Sequence, residues 1–237
     1  MPLSGALSGI RQRFRRLAGP RRQQTSAALG IGAIPRRSAG ANLILRTLFD
    51  TQGTDKGWYS DFYEILLRDR REELRSLLEI GIGTLAPGEN ASMFGHAADH
   101  YKPGGSLRAW RDYLPNAEIV GLDCQPDTQF SDERIRTLLC DSTDAASAAG
   151  ALATLPKFDA IIDDGSHVAE DQLATLRNFY PALRPSGFYF IEDVGRASPL
   201  YADPSLIEPF INGAPYFAIS DSDGMYTWKM LVIRRCD

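Results

Sequence analysis

Five short apolar runs, each closed by a glycine or an acid, constrain this chain more than any other feature: LRSLLEIGIG at 74–83, AEIVGLD at 117–123, RIRTLLCD at 134–141, FDAIIDDG at 158–165 and GFYFIEDV at 187–194. Runs this short and this evenly apolar suit strands buried on both faces, as in parallel sheets. Helix-like segments, Ala145 to Leu155 and Val168 to Leu183, separate the later ones. Such alternation predicts an α/β fold with a doubly wound, mostly parallel sheet. Two more strand-like runs, 216–220 and 227–235, are joined by a short polar turn. They predict a C-terminal antiparallel hairpin and bring the sheet to seven strands.

The fourth and fifth runs end in adjacent acids, Asp163-Asp164 and Glu192-Asp193. Parallel strands deliver such residues to the C-terminal edge of the sheet, where open α/β folds hold their ligands. Four carboxylates in one cleft raise one another's pKa unless a cation neutralises them, and a hard divalent ion such as Mg²⁺ is the economical solution. His167, three residues beyond Asp164, is a side chain that can take a proton near neutral pH. The competing reading is structural: acids at strand ends can cap helices or pair with arginines. Two acid pairs and a histidine on neighbouring strands make that a costly arrangement without a ligand.

Charge is unevenly distributed. Residues 1–49 hold nine arginines and no Asp, Glu or Lys, and subtracting those nine from the whole-chain charge of −4 leaves −13 on residues 50–237. So acidic a body argues against a nucleic-acid partner, which needs a basic face. Residues 1–40 read as a basic, disordered tail whose first part can form a short amphipathic helix. No apolar run reaches the length of a membrane span, the N-terminus lacks a secretory apolar core, and Cys124, Cys140 and Cys236 lack CxxC spacing. These points predict a cytoplasmic protein with reduced, buried thiols.

Residues 41–73 predict a helical cap, two helices flanking the turn GTDKG at 53–57, with Thr54, Asp55 and Lys56 available to a ligand. A plain inter-helix loop explains the same residues equally well. Residues 74–237 then form the catalytic domain. Between Gly83 and Gly105 a long loop intervenes, and Ser106 is the expected N-cap of a helix burying Trp110 and Tyr113. His96 and His100 are spaced as a ligand pair, but with no third ligand in view they read as surface histidines.

The turn after the first run, Glu79-Ile-Gly81-Ile-Gly83-Thr-Leu-Ala86, satisfies the dinucleotide pattern G-x-G-x-x-A. That leaves an NAD(P)-dependent oxidoreductase as one reading. Glu79 before the glycines, Asp123 closing the second run, Asp141 closing the third and the terminal hairpin instead resemble the class I S-adenosylmethionine (SAM) methyltransferases, a Rossmann-like fold. With GTDKG, GGSLRAWRDYLPNA at 104–117, IDDGSH at 162–167 and FIEDV at 190–194, the resemblance narrows to the metal-dependent macrolide-sugar and rhamnosyl O-methyltransferases of natural-product biosynthesis. That resemblance implies SAM held by Glu79, Gly81, Gly83, Asp123, Asp141 and Asp163. It implies Mg²⁺ held by Asp164, Glu192 and Asp193, with His167 as the base acting on a sugar or glycoside hydroxyl. Two stretches depart from the pattern, GWYSDFY after the GTDK turn and VGRASPLY after IED. Trp58, Tyr59 and Tyr201 are candidate sugar-stacking aromatics that packing explains as well. A SAM-binding relative without catalysis is the remaining alternative, and the sequence leaves oligomeric state open, a homo-oligomer included.

Overall fold

The structure, a computed structural model, describes residues 44–86, 93, 99–195, 198–211, 216–220 and 228–236. The basic tail, His96 and most of the inserted loop lie outside the described residues. The strands, in chain order, are β1 (Ser76–Ile80), β2 (Glu118–Asp123), β3 (Ser131–Asp132), β4 (Ile135–Leu139), β5 (Phe158–Asp163), β6 (Leu183–Gly195), β7 (Tyr216–Ser220) and β8 (Trp228–Arg234). They form one sheet in the order β3-β4-β2-β1-β5-β6-β8-β7. Strands β4, β2, β1, β5 and β6 run parallel, and β8 joins β6 antiparallel with β7 at the edge. These are the seven strands expected from the sequence. The eighth, β3, is a two-residue antiparallel addition beside β4 that no run of apolar residues announces.

Side chains alternate across a strand, so each strand feeds two cores. Leu77, Ile119, Ala160, Ile162, Phe188 and Phe190 face one layer. There they meet α1 (Ile44–Gln52), α2 (Ser60–Leu67) and α3 (Gly105–Tyr113) through Leu45, Phe49, Tyr63, Leu67, Leu107 and Trp110. Leu78, Ile80, Val120, Ile161, Tyr189 and Ile191 face the other layer, against α4 (Ala145–Leu152) and α5 (Ala169–Phe179) through Ala148, Leu176 and Phe179. The N-terminal helices are therefore part of the main core. Tyr63 locks them in: its ring lies edge-on to Trp110 at 4.9 Å and to Phe190 at 4.9 Å, geometry that aromatic quadrupoles favour.

Two expectations are corrected. The helix expected to start at a Ser106 N-cap begins at Gly105, with Gly104 in the left-handed region (φ 80°) at the cap. The Ser106 hydroxyl instead donates to Glu79 Oε1 at 2.6 Å, because a fully buried carboxylate demands donors. Of the three cysteines only Cys140 is buried. Cys124 and Cys236 are exposed, each one or two residues past a strand, where the chain leaves the core. Among the described residues no helix is long and apolar enough to cross a membrane.

Candidate active site

Strands β1, β5 and β6 are neighbours and parallel, so their C-terminal ends lie side by side. By alternation Glu79 follows Leu77, and Glu192 follows Phe188 and Phe190, onto the face covered by the N-terminal helices. Asp163 follows Ile161 onto the opposite face. Simple alternation would also send Asp193 to that opposite face. It does not arrive there, because the pairing of β6 with β8 shifts register between Ile191 and Val194 and Asp193 takes a left-handed backbone (φ 51°). This β-bulge re-aims one side chain and puts both acids of the pair against the same helices.

Those helices supply the partners. Lys56, in the turn between α1 and α2, places Nζ 2.5 Å from Asp164 Oδ2, 3.1 Å from Glu192 Oε2 and 3.5 Å from Glu79 Oε1. The Tyr63 hydroxyl donates to Glu192 Oε1, and the Tyr59 hydroxyl donates to Asp193 Oδ1. Burial works against the Lys56 ammonium, but Asp164, Glu192 and Glu79 outweigh it and hold its pKa well above the ordinary value. Burial pushes the Tyr59 and Tyr63 hydroxyls up, Asp193 and Glu192 respectively adding to the effect, so both stay protonated donors. One ammonium cannot neutralise every acid. Burial leaves Glu192 well above the usual carboxylate range; Lys56 offsets part of this, while Asp164 and Asp193 add to it. Asp193 is raised by burial and by Asp164. Burial also opposes charge on Asp164, yet Lys56 and His167 hold it below the usual range.

His167 joins from the loop after β5, with Nε2 3.4 Å from Asp193 Oδ2 and 3.8 Å from Asp164 Oδ1. The neighbouring Asp164 carboxylate, with Asp193, outweighs burial and raises its pKa. Asp164, His167 and Asp193 each offer a ligand atom within 4.8 Å of the others. Their side chains are 20%, 30% and 26% exposed, against 5% for Lys56 and 2% for Glu192. A ligand from solvent therefore meets this trio first. Oxygen and imidazole donors with excess negative charge fit a hard divalent ion. Glu192 is drawn differently from the expected ligand set, since each of its oxygens already has a protein donor.

The glycine turn lies against the same edge. Gly81 has φ 91°, and a Cβ there would sit 2.0 Å from the Asp164 carbonyl oxygen, so only glycine lets the turn touch the acid-bearing loop. Asp123 Oδ2 accepts from the amides of Ile82 (2.7 Å) and Gly83 (3.3 Å), which ties the end of β2 to that turn. Tyr101 braces it from the other side, its hydroxyl donating to the carbonyls of Ile82 and Gly83. Asp141 is exposed at the end of β4, with Oδ1 accepting from the Thr143 amide and hydroxyl. Two buried acceptor atoms, Glu79 Oε2 and Asp163 Oδ2, have no hydrogen-bond partner among the described residues. Burial pushes Asp163 up to about 8, and a cationic ligand group beside it would favour its ionised form. Such orphaned acceptors and a glycine turn at the sheet edge fit a sulfonium cofactor bearing an ammonium group.

Sequence reasoning brought Asp163, Asp164, Glu192, Asp193 and His167 to one cleft; the structure assembles Asp164, His167, Glu192 and Asp193 there, while strand alternation turns Asp163 to the opposite face of the sheet. It singled out Lys56 without its partners, which stand 108 and 136 positions away. It named Tyr59 only as an aromatic surface and passed over the hydroxyl of Tyr63. The side chains of Trp58 and Tyr201 lie outside the described residues.

No protein-family profile matches the chain. Among curated proteins it is 35% identical over 140 residues to the 8-demethyl-8-(2-methoxy-alpha-L-rhamnosyl)-tetracenomycin-C 3'-O-methyltransferase of Streptomyces olivaceus, covering 59% of this chain and 33% of that protein. It is 34% identical over 140 residues to the mycinamicin VI 2''-O-methyltransferase of Micromonospora griseorubida, covering 59% and 32%. The chain thus matches about a third of the length of these relatives. Among solved structures, the MycE methyltransferase from the mycinamycin biosynthetic pathway, in complex with Mg and SAH, superposes with a TM-score of 0.62 at 25% identity, covering 81% of this chain and 55% of that one. The chain resembles the natural-product sugar O-methyltransferases in both sequence and fold.

Proposed function

We propose that this chain carries a SAM-dependent O-methyltransferase domain acting on a hydroxyl of a sugar or glycosylated natural product, assisted by Mg²⁺ or a related divalent ion. The observation that carries the reading is the convergence of Asp164, His167 and Asp193 at the C-terminal edge of β5 and β6, beside the glycine turn after β1. The names and bound groups of the similar proteins support it.

When bound, the ion supplies Lewis acidity at the acceptor oxygen and the cofactor supplies an electrophilic methyl group. Asp164 and Asp193 would hold the ion. Glu192 would complete the set through lone pairs left over from its bonds to Tyr63 and Lys56, since each carboxylate oxygen has two. Glu79, Gly81, Gly83, Asp123, Asp141 and Asp163 would line the cofactor site. His167 belongs to the same cluster, and we assign it the base. A sugar hydroxyl is a weak acid, so its proton needs an acceptor in the transition state. The two carboxylates facing His167 Nε2 orient the ring and stabilise the imidazolium that results. Tyr59 holds Asp193 and Lys56 holds Asp164, so both acids enter the reaction already positioned.

The test is methyl transfer from SAM to a panel of glycosides, read as the mass gain of one methyl group, with and without chelator. Activity lost in EDTA and restored by Mg²⁺ is expected. Undiminished activity in chelator would remove the metal, and thermal stabilisation by NAD without any by SAM or S-adenosylhomocysteine would remove the methyltransferase reading altogether.

A further inference from the structure

Among the described residues, Lys56 is the one basic side chain sealed inside the acid cluster, 5% exposed and within 3.5 Å of three carboxylates that come from β1, the loop after β5 and β6. It arrives from a different part of the fold, the turn between α1 and α2. The cluster it serves also contains Asp193, whose described partners are Tyr59 and His167. Glu79 and Glu192 are almost wholly buried, where an uncompensated carboxylate is costly.

We infer that Lys56 is a tethered counter-cation for this site, a positioning residue whose single charge offsets part of the charge of Glu79, Asp164 and Glu192 before any metal arrives and so divides the acids into a sealed set and an open set. The sealed set, Glu79 and Glu192, takes its protein donors from Lys56, Tyr63 and Ser106, with Glu79 Oε2 left without one and Glu192 keeping spare lone pairs. The open set, Asp164 and Asp193 beside His167, is left to a mobile cation. Asp164 is the hinge between them: Oδ2 is held by Lys56 while Oδ1 faces His167. Charge balance alone has two consequences. The metal-free site is tolerated because one positive charge never leaves it. Removing that charge makes the remaining acids a stronger site for a divalent ion, because two cations no longer share one cluster.

The inference deepens the metal-assisted reading above and rests on it for the identity of the ion, but its test reads stability and metal binding, with no turnover needed. Lys56→Met and Lys56→Gln are compared with the unaltered chain in thermal denaturation, first in chelator and then in millimolar MgCl₂, with Mg²⁺ binding followed by calorimetry. Both variants are expected to melt lower than the parent in chelator, by roughly 5 °C or more. Both are expected to gain more from Mg²⁺ than the parent gains, and to bind it more tightly. A variant that cannot be purified without metal but melts cooperatively with it gives the same answer. Equal melting of variant and parent in chelator would overturn the inference, as would a Mg²⁺ gain no larger in the variants than in the parent, or a failure of both variants to fold even with Mg²⁺. Should the parent methylate glycosides undiminished in EDTA, the metal-assisted reading fails on its own account while this comparison still returns its answer.

Discussion

Tyr63 packs its ring edge-on against Phe190 and donates its hydroxyl to Glu192, two residues further along the same strand. One side chain therefore fastens the N-terminal helices to the sheet and also satisfies an acid of the candidate active site. Removing only the hydroxyl separates these jobs. Tyr63→Phe keeps the packing but leaves a buried carboxylate oxygen short of a donor, which costs about 1–3 kcal/mol. Tyr63→Ala loses the ring as well and should cost about 3–5 kcal/mol. Urea denaturation of the two variants checks the order, and a Tyr63→Phe variant as stable as the parent would mean the hydroxyl contributes nothing.

Gly81→Ala should be among the most damaging single changes in the chain. The backbone there costs any other residue about 1–3 kcal/mol, and the added methyl would meet the Asp164 carbonyl at 2.0 Å, so the loop bearing Asp164 must move. We expect a lower melting temperature together with weaker SAM binding by calorimetry. A variant that binds SAM as tightly as the parent would show that the turn and the acid-bearing loop are not mechanically linked.

For His167→Ala we expect methyl transfer to fall by about 10²–10⁴-fold, the usual contribution of a positioned base, while SAM and Mg²⁺ still bind. If Mg²⁺ affinity falls as steeply as turnover, His167 is a ligand of the ion and some other group takes the proton.

The cysteines offer a test of the fold that needs no substrate. Cys124 and Cys236 are exposed, whereas Cys140 is buried and burial pushes its thiol pKa up, with Ser147 only partly offsetting it. Thiolate is the reactive form, so maleimide should label two positions quickly and the third only slowly until the protein unfolds. Mass spectrometry after a short pulse reads the pattern, and rapid labelling of Cys140 would contradict the packing of β4 against α4.

The strands and the acids at their ends were legible because buried parallel strands are continuous apolar runs, and the residues that close such a run emerge at the sheet edge. Asp164, His167 and Glu192 could be placed together on that basis alone. Other features depend on distant neighbours. Lys56 sits in a turn that reads as a plain connection, and its meaning lies in carboxylates from β1, the loop after β5 and β6. Ser106 has the residue type and position of an N-cap, but a buried Glu79 competes for its hydroxyl and wins. Tyr63 matches the periodicity of a core residue, which it is, and periodicity says nothing about the far end of its ring. The exposed Cys124 and Cys236 stand where strands run out into loops, a boundary that sequence locates only to within a few residues.

The bulge in β6 has an implication for which changes this chain can absorb. Glu192 and Asp193 share a face only because the strand carries one surplus residue between Ile191 and Val194. Deleting Ile191 or Val194, which flank the acids, would restore even pleating and turn one of the two acids away from Lys56 and His167, without altering a single side chain of the cluster. The spacing of residues here is thus as much a determinant of the site as their chemistry, and lineages of this chain should tolerate length variation in the surrounding loops far more readily than within these three peptide bonds.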